Sequence, residues 1–273
     1  MIQEIYPHTF NNAYKNYTVD NDDTVFVFKD EKVLIRYEDN KIIFPLFKEL
    51  NNIKECIYLF SIDDTRYFID LNAQSYNDSF SFVPMKDTRT FNLETNTEIF
   101  AIYSAYHLWK WYCANKYCGA CKEEMIHDSR ERALRCPKCN NVVYPRINPA
   151  VIIGVTNKDK IILTRYRVGY KLNALVAGFT EFGETLEQTV EREVMEEVGL
   201  KVKNIRYYKS QPWGVAQDIL AGFFCEVDGD DTIHVDETEL KSALWVKRED
   251  IELQDNNYSL TNEMMRMFKE NKI

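Results

Sequence analysis

Along the first ninety residues, apolar positions fall in short runs rather than at helical spacing. TVFVF (24–28), KVLIRY (32–37), CIYLF (56–60) and RYFIDL (66–71) are aromatic and β-branched, with Asn- and Asp-containing breaks between them. That pattern predicts strands. Between 95 and 112 the period lengthens. Ile99, Ile102, Tyr103, Tyr106 and Trp109 recur at spacings of three and four, which predicts a helix with one apolar stripe as its packing face. PAVIIGV (149–155), KIILTRY (160–166), LAGFFCEV (220–227) and SALWVK (242–247) read as further strands. A second helix is predicted over 185–198, with Leu186, Val190, Val194 and Val198 as its stripe and Gly199 at the left-handed cap. A terminal helix is predicted over 261–270. No repeat or low-complexity segment is visible.

A chain of 273 residues, 45% apolar and 28% charged, has material for two globular domains, or two plus a small module. The net charge of -9 repels nucleic-acid phosphates on average, which argues against a general DNA-binding role. No apolar run approaches the roughly 18–20 residues a membrane helix needs. The opening MIQEIYPHTFNNAY has no basic region leading into an apolar stretch. The expectation is a cytoplasmic protein with no membrane partner and no DNA partner.

Seven cysteines change that picture in one place. Cys118-x2-Cys121 is separated by fourteen residues from Cys136-x2-Cys139, and two such knuckles bring four thiolates to the corners of a tetrahedron. This predicts one structural zinc. With four sulfur ligands no position is left for water, so that metal is a staple and takes no part in catalysis. Lys116, Lys122 and Lys138 lie near the thiolates in sequence. Residues 113–146 carry seven Lys or Arg against four Asp or Glu, an excess that a solvated surface explains as well as an RNA contact does. Cys56, Cys113 and Cys225 stand alone and are expected to be buried or half-buried small apolar residues.

The second concentration of chemistry lies in GFTEFGETLEQTVEREVMEEVGL, residues 178–200. On a helix, Glu193 and Glu197 fall about 40° apart, at the edge of the valine stripe, where both are partly desolvated. Carboxylates placed so close repel one another unless a cation joins them. Mg²⁺ or Mn²⁺ would supply that charge through oxygen ligands. A solvated acidic face is the other reading of the spacing alone. Gly178 and Gly183 open the segment as a loop where backbone can approach a phosphate. Arg192 is placed to orient a neighbouring carboxylate.

The segment matches the Nudix box, G-x5-E-x7-R-E-U-x-E-E-x-G-U with U aliphatic, at Gly178, Glu184, Arg192, Glu193, Val194, Glu196, Glu197, Gly199 and Leu200. With a four-cysteine ribbon upstream and SQPW (210–213) downstream, the chain resembles the NADH pyrophosphatase family of Nudix hydrolases. The resemblance implies a mixed α+β chain. Residues 1–112 would form an amino-terminal β-rich domain ending in a helix, 113–146 a zinc ribbon, and 147–273 a Nudix α/β/α sandwich. It further implies that Glu193, Glu196 and Glu197 hold the catalytic Mg²⁺ or Mn²⁺ with Glu239 and the carbonyl of Ala177. By the same resemblance Trp213, Phe179 and Tyr144 stack on the substrate's aromatic ends, as flat side chains do on bases. Glu131, Gln211, Pro212 and Asp218 are carried over as substrate-binding positions.

The activity so implied is hydrolysis of NAD(H) to NMN(H) and AMP by a homodimer, with NAD-capped RNA as a related substrate. At one point the sequence departs from the pattern. The family's SQPWPFP-x-S is replaced by Ser210-Gln211-Pro212-Trp213-Gly214-Val215-Ala216-Gln217-Asp218. Loss of the prolines predicts a looser loop, and a carboxylate at 218 would repel a pyrophosphate. These changes leave room for ADP-ribose or a diadenosine polyphosphate as substrate. A nucleotide-sensing regulator that binds nucleic acid through the ribbon is the reading from a different class; the intact box carboxylates weigh against it.

Overall fold

The computed structural model describes all residues except 51, 52, 54, 55, 73–75, 77, 92, 169–171 and 256. Glu4–Arg146 with Gly214–Gln217 make one compact unit; Met1–Gln3, Ile147–Trp213 and Asp218–Ile273 make the other.

In the first unit the short apolar runs are strands. β1 (Phe10–Asn11), β2 (Thr24–Lys29), β3 (Lys32–Glu38), β4 (Lys41–Ile43), β5 (Ile57–Ile62), β6 (Thr65–Asp70) and β7 (Ser81–Pro84) build a sheet in the order β1-β5-β6-β2-β3-β4, with β7 also on β3. β2 and β6 run parallel, and the other neighbours antiparallel. Two-residue turns at Asp30-Glu31 and Asp39-Asn40 take positive φ at both positions, the mirror-image turn that matches strand twist. Val25, Val27, Leu34, Tyr58 and Phe68 fill one core.

The helix α1 (Thr97–Ala114) departs from the single stripe expected of it. Ile99, Phe100, Ala101, Ile102 and Tyr103 are all buried in succession, so it is covered nearly all round, and Tyr106 and Trp109 stack beside Phe28. A small sheet of β8 (Ile126–His127), β9 (Leu134–Arg135) and β10 (Val142–Val143), in the order β10-β9-β8, lies among the cysteine knuckles.

The second unit holds β11 (Asn148–Asn157), β12 (Lys160–Tyr166), β13 (Val176–Phe179), α2 (Leu186–Val198), β14 (Val202–Trp213), β15 (Asp218–Val227), β16 (Leu240–Lys247) and α3 (Leu260–Lys269). The sheet order is β14-β15-β11-β12-β16, with β13 also on β11; β11 and β15 are parallel. Alternation along the strands sorts their side chains into two layers. Val151, Ile153 and Val155 share one face with Phe223 and Cys225, and these meet Val190, Val194 and Val198 of α2. On the other face, Ile152, Leu163 and Phe224 meet Leu260, Met264, Met265 and Phe268 of α3. This is the α/β/α sandwich expected from the sequence. Among the described residues, no helix is long and apolar enough to cross a membrane.

Candidate active site

Helix α2 begins at Thr185, whose side chain accepts from the Gln188 amide while Gln188 reaches back to the Thr185 amide. It ends at Gly199, with φ 71°, the left-handed cap read from the sequence. Beyond that cap, the His234 amide donates to Val198 O (2.9 Å) and the Asp236 amide to Glu197 O (3.0 Å). Carbonyls that a helix end leaves unpaired thus hold the loop that carries Glu239.

Arg192 is the hub of the box. Its Nε and Nη2 donate to Glu184 at 2.6 and 3.0 Å, Nη1 donates to Glu193 (2.7 Å) and Glu196 (2.9 Å), and Nη2 also donates to Phe179 O (2.8 Å). The guanidinium first, then the Glu181 amide, holds the Glu184 carboxyl down at about 2. Glu193 is drawn the other way. Burial raises its pKa, opposed by Arg192, and the charges of Glu196 and Glu239 add to the rise. Its carboxyl lies over Gly178, where an added Cβ would come within 1.9 Å of Glu193 Cδ. Only glycine fits at that box position.

Glu197 is the exception in this network. It is 2% exposed, and neither of its oxygens has a hydrogen-bond partner among the described residues. Burial pushes its pKa up to about 8, with the charges of Glu193 and Glu239 next in effect. The nearby Ala177 amide, too poorly placed for a true hydrogen bond, opposes that rise less strongly. Ala177 sits on β13 opposite Ile152. Exposed Glu239 precedes β16, and its carbonyl accepts from the Arg167 amide (3.1 Å). The structure therefore brings Glu193, Glu196, Glu197, Glu239 and Ala177 into one neighbourhood. It does not draw the carboxylates into as tight a cluster as the thiolates. Among the described residues, the four cysteines alone place their ligand atoms all within 4.8 Å of one another.

The other sequence-derived positions divide. Phe179 is exposed at the end of β13, Pro212 is exposed, and Trp213 is half-buried at the end of β14. Gln211 is fully buried, its Nε2 donating to Tyr258 O (2.5 Å) and its Oε1 accepting from the Leu260 amide (2.7 Å), so it anchors the start of α3. Asp218 is buried opposite Trp213 at the head of β15. Tyr144 and Glu131 belong to the first unit, where the exposed Tyr144 hydroxyl donates to Glu131 (2.9 Å).

The turn after Trp213 is not loose. A Cβ on Gly214 would lie 1.9 Å from Tyr103 O. Gln217, buried, donates to His107 O (3.2 Å) and accepts from Arg146 (2.9 Å), while Lys110 reaches Val215 O (3.3 Å). Close backbone approach explains glycine where the resembling family has proline.

In the ribbon, Cys118 Sγ lies 3.5 Å from Cys139 Sγ, and Cys121 Sγ lies 3.4 Å from Cys136 and 3.5 Å from Cys139. Sulfur–zinc bonds of ~2.3 Å in a tetrahedron give sulfur–sulfur edges of roughly 3.8 Å, so the four thiols fit such an ion. The amides of Ala120 and Cys121 lower the Cys118 pKa. Of the lone cysteines, Cys225 is buried and Cys56 half-buried; Cys113, expected inside, is exposed. One residue near the box escaped the sequence reading. Half-buried Tyr166 packs on the α2 side of the sheet and feels the charges of Glu197, Glu239 and Glu193. The alternation running from Ile162 was the available signal for its side.

Residues 146–268 match the family model of the NUDIX domain. Over 147 residues the chain is 44% identical to proteins named NAD-capped RNA hydrolase NudC from Escherichia coli O9:H4 (strain HS), Shigella boydii serotype 18 and Escherichia fergusonii. Those matches cover 53% of this chain and 56% of each relative, so the chain spans about half the length of the curated relatives it matches. A crystal structure of a NUDIX hydrolase from Nitrosomonas europaea is similar with a TM-score of 0.51 and 22% identity, over 57% of this chain and 92% of that one. That likeness is one of fold.

Proposed function

We propose that this chain is a divalent-metal-dependent pyrophosphohydrolase that cuts NAD(H) into NMN(H) and AMP, and that the same chemistry removes NAD from capped RNA. Glu197 carries the reading: a carboxylate 2% exposed, unpartnered at both oxygens among the described residues, on the helix of a Nudix domain. A buried charge left so is costly until a proton or a cation joins it. Glu193, Glu196, Glu197, Glu239 and the Ala177 carbonyl form an all-oxygen donor set, which suits Mg²⁺ or Mn²⁺. Bound there, such an ion would neutralise a diphosphate and acidify a water.

The chain's own residues do the rest. Arg192 fixes the orientation of Glu193 and Glu196, and Gly178 leaves the space the Glu193 carboxyl occupies. Phe179 and Trp213 offer flat faces for a base or nicotinamide, with Pro212 beside them; Tyr144 and Glu131 are proposed as substrate-binding residues of the other unit. In the reaction the oxygen of one water joins one phosphorus, the bridging P–O bond breaks, and two monophosphates leave. The names of the relatives support NAD as the substrate. The altered turn at 214–217 supports a second reading, with ADP-ribose or a diadenosine polyphosphate in its place.

Around this site we read residues 1–112 as an amino-terminal domain, 113–146 as a ribbon stapled by zinc, and 147–273 as the catalytic domain, working as a cytoplasmic homodimer. Incubation with NADH and Mg²⁺ or Mn²⁺, followed by chromatography for AMP, tests the activity. A panel of NADH, NAD⁺, ADP-ribose and NAD-capped RNA ranks the substrates. Absence of AMP from every one of them rejects the proposal.

A further inference from the structure

Tyr166 closes β12, and its ring packs half-buried against the cluster that includes Val190, Val194 and Val198 of α2. The pairing of β12 with β16 slips between Arg165 and Tyr166, which sets Tyr166 opposite Leu240, the residue after Glu239. One residue on, the Arg167 amide holds the Glu239 carbonyl. The extra residue, Lys241, lies in β16, so alternation along β12 keeps the Tyr166 side chain on the α2 face with Ile162, beside the start of the strand that follows Glu239. A phenol, with an ordinary pKa of about 10, carries its proton and is a donor across the physiological range. Among the described residues no group is hydrogen-bonded to that hydroxyl, and none to either oxygen of Glu197. An unused donor and an unused acceptor thus share one carboxylate-lined space.

We propose that Tyr166 is a positioning residue of this cluster: its hydroxyl donates to ionised Glu197 and thereby sets how tightly the carboxylates hold a divalent cation. The inference rests on the proposed function above. A phenol suits the task because it offers one donor and adds no further negative charge. Hydrogen bonds to a ligating carboxylate fix its orientation, and losing one typically costs about 10-fold or more in metal affinity.

The test is Mn²⁺ binding to the whole 273-residue chain, followed by the electron paramagnetic resonance of free Mn²⁺, with no substrate present. Tyr166→Phe should weaken binding about 10-fold while the melting temperature of the metal-free protein stays near that of the wild type. In a Glu197→Gln background, adding Tyr166→Phe should change Mn²⁺ affinity no further. Equal affinity in wild type and Tyr166→Phe overturns the inference, as does a full 10-fold loss that persists beside Glu197→Gln. If Tyr166→Phe melts early, the double-mutant comparison still decides, since a purely structural loss appears in both backgrounds. Wild-type protein that binds no Mn²⁺ instead rejects the proposed function itself.

Discussion

The ribbon and the box helix each gather like-charged ligands, and they deal with the repulsion in different ways. Around Cys118, Cys121, Cys136 and Cys139 the sulfurs already stand close to tetrahedral spacing, and backbone amides favour the Cys118 thiolate. On α2, Arg192 ties down Glu184, Glu193 and Glu196, yet leaves Glu197 buried and, among the described residues, without a hydrogen bond. A closed set of soft ligands would make a permanent staple once zinc is bound. A half-balanced set of hard ligands can take a cation and share it with a diphosphate. What marks the working site is the missing partner rather than the number of acids.

Removing the bare carboxylate strikes hardest at this difference. Glu197→Gln, or Glu193→Gln, should lower NADH turnover on the order of 1,000-fold, about 4 kcal/mol of transition-state stabilisation. Persistent AMP release in both variants contradicts the assignment. Gly178→Ala should approach the same loss, because a methyl group there displaces the Glu193 carboxyl.

On the ribbon side, chelation of zinc or Cys118→Ser should lower the melting temperature by roughly 10 °C, since binding energy at such a site is folding energy. An unchanged melt after verified zinc loss would rule out the staple.

Within the box, the pH dependence of stability separates the unpaired carboxylate from the paired one. Glu197 has a folded pKa of about 8, above the ordinary value of 4.5, so its contribution is complete below pH 4.5 and is lost as pH rises through 8. Metal-free Glu197→Gln should therefore be more stable than wild type at pH 9, by on the order of 3 kcal/mol, and the gain should vanish near pH 4.5. Denaturant titrations at both pH values check this. Glu184 has the opposite sign, stabilising above pH 4.5 and losing that contribution as pH falls toward about 2. The smallest effect is expected from Gly214→Ala, where the Tyr103 carbonyl must shift. A loss of about 1–3 kcal/mol should appear in the same titrations.

Much of this was legible in the residues themselves. The cysteine spacing and the valine stripe of α2 are local patterns, and local patterns survive folding. β13 was missed because four residues, VAGF, are too few to show a period. β14 was missed because much of its length is exposed or half-buried at the edge of the sheet, and its polar residues hid the alternation. The single stripe expected of α1 failed because aromatic residues crowd every side of it. Within SQPW, Gln211 has partners, Tyr258 and Leu260, that lie nearly fifty residues away and could not be read locally. Still longer separations in sequence hid the contact of Gly214 with Tyr103, and the approach of Tyr166 to Glu239.

Anomalous diffraction from a crystal soaked in Mn²⁺ and a nonhydrolysable dinucleotide would show whether a cation fills the gap beside Glu197. A manganese peak is expected roughly 2.2 Å from oxygens of Glu193 and Glu197, beside the diphosphate. A diphosphate bound with no peak there, and those side chains turned away from it, would contradict the metal-bridged cluster.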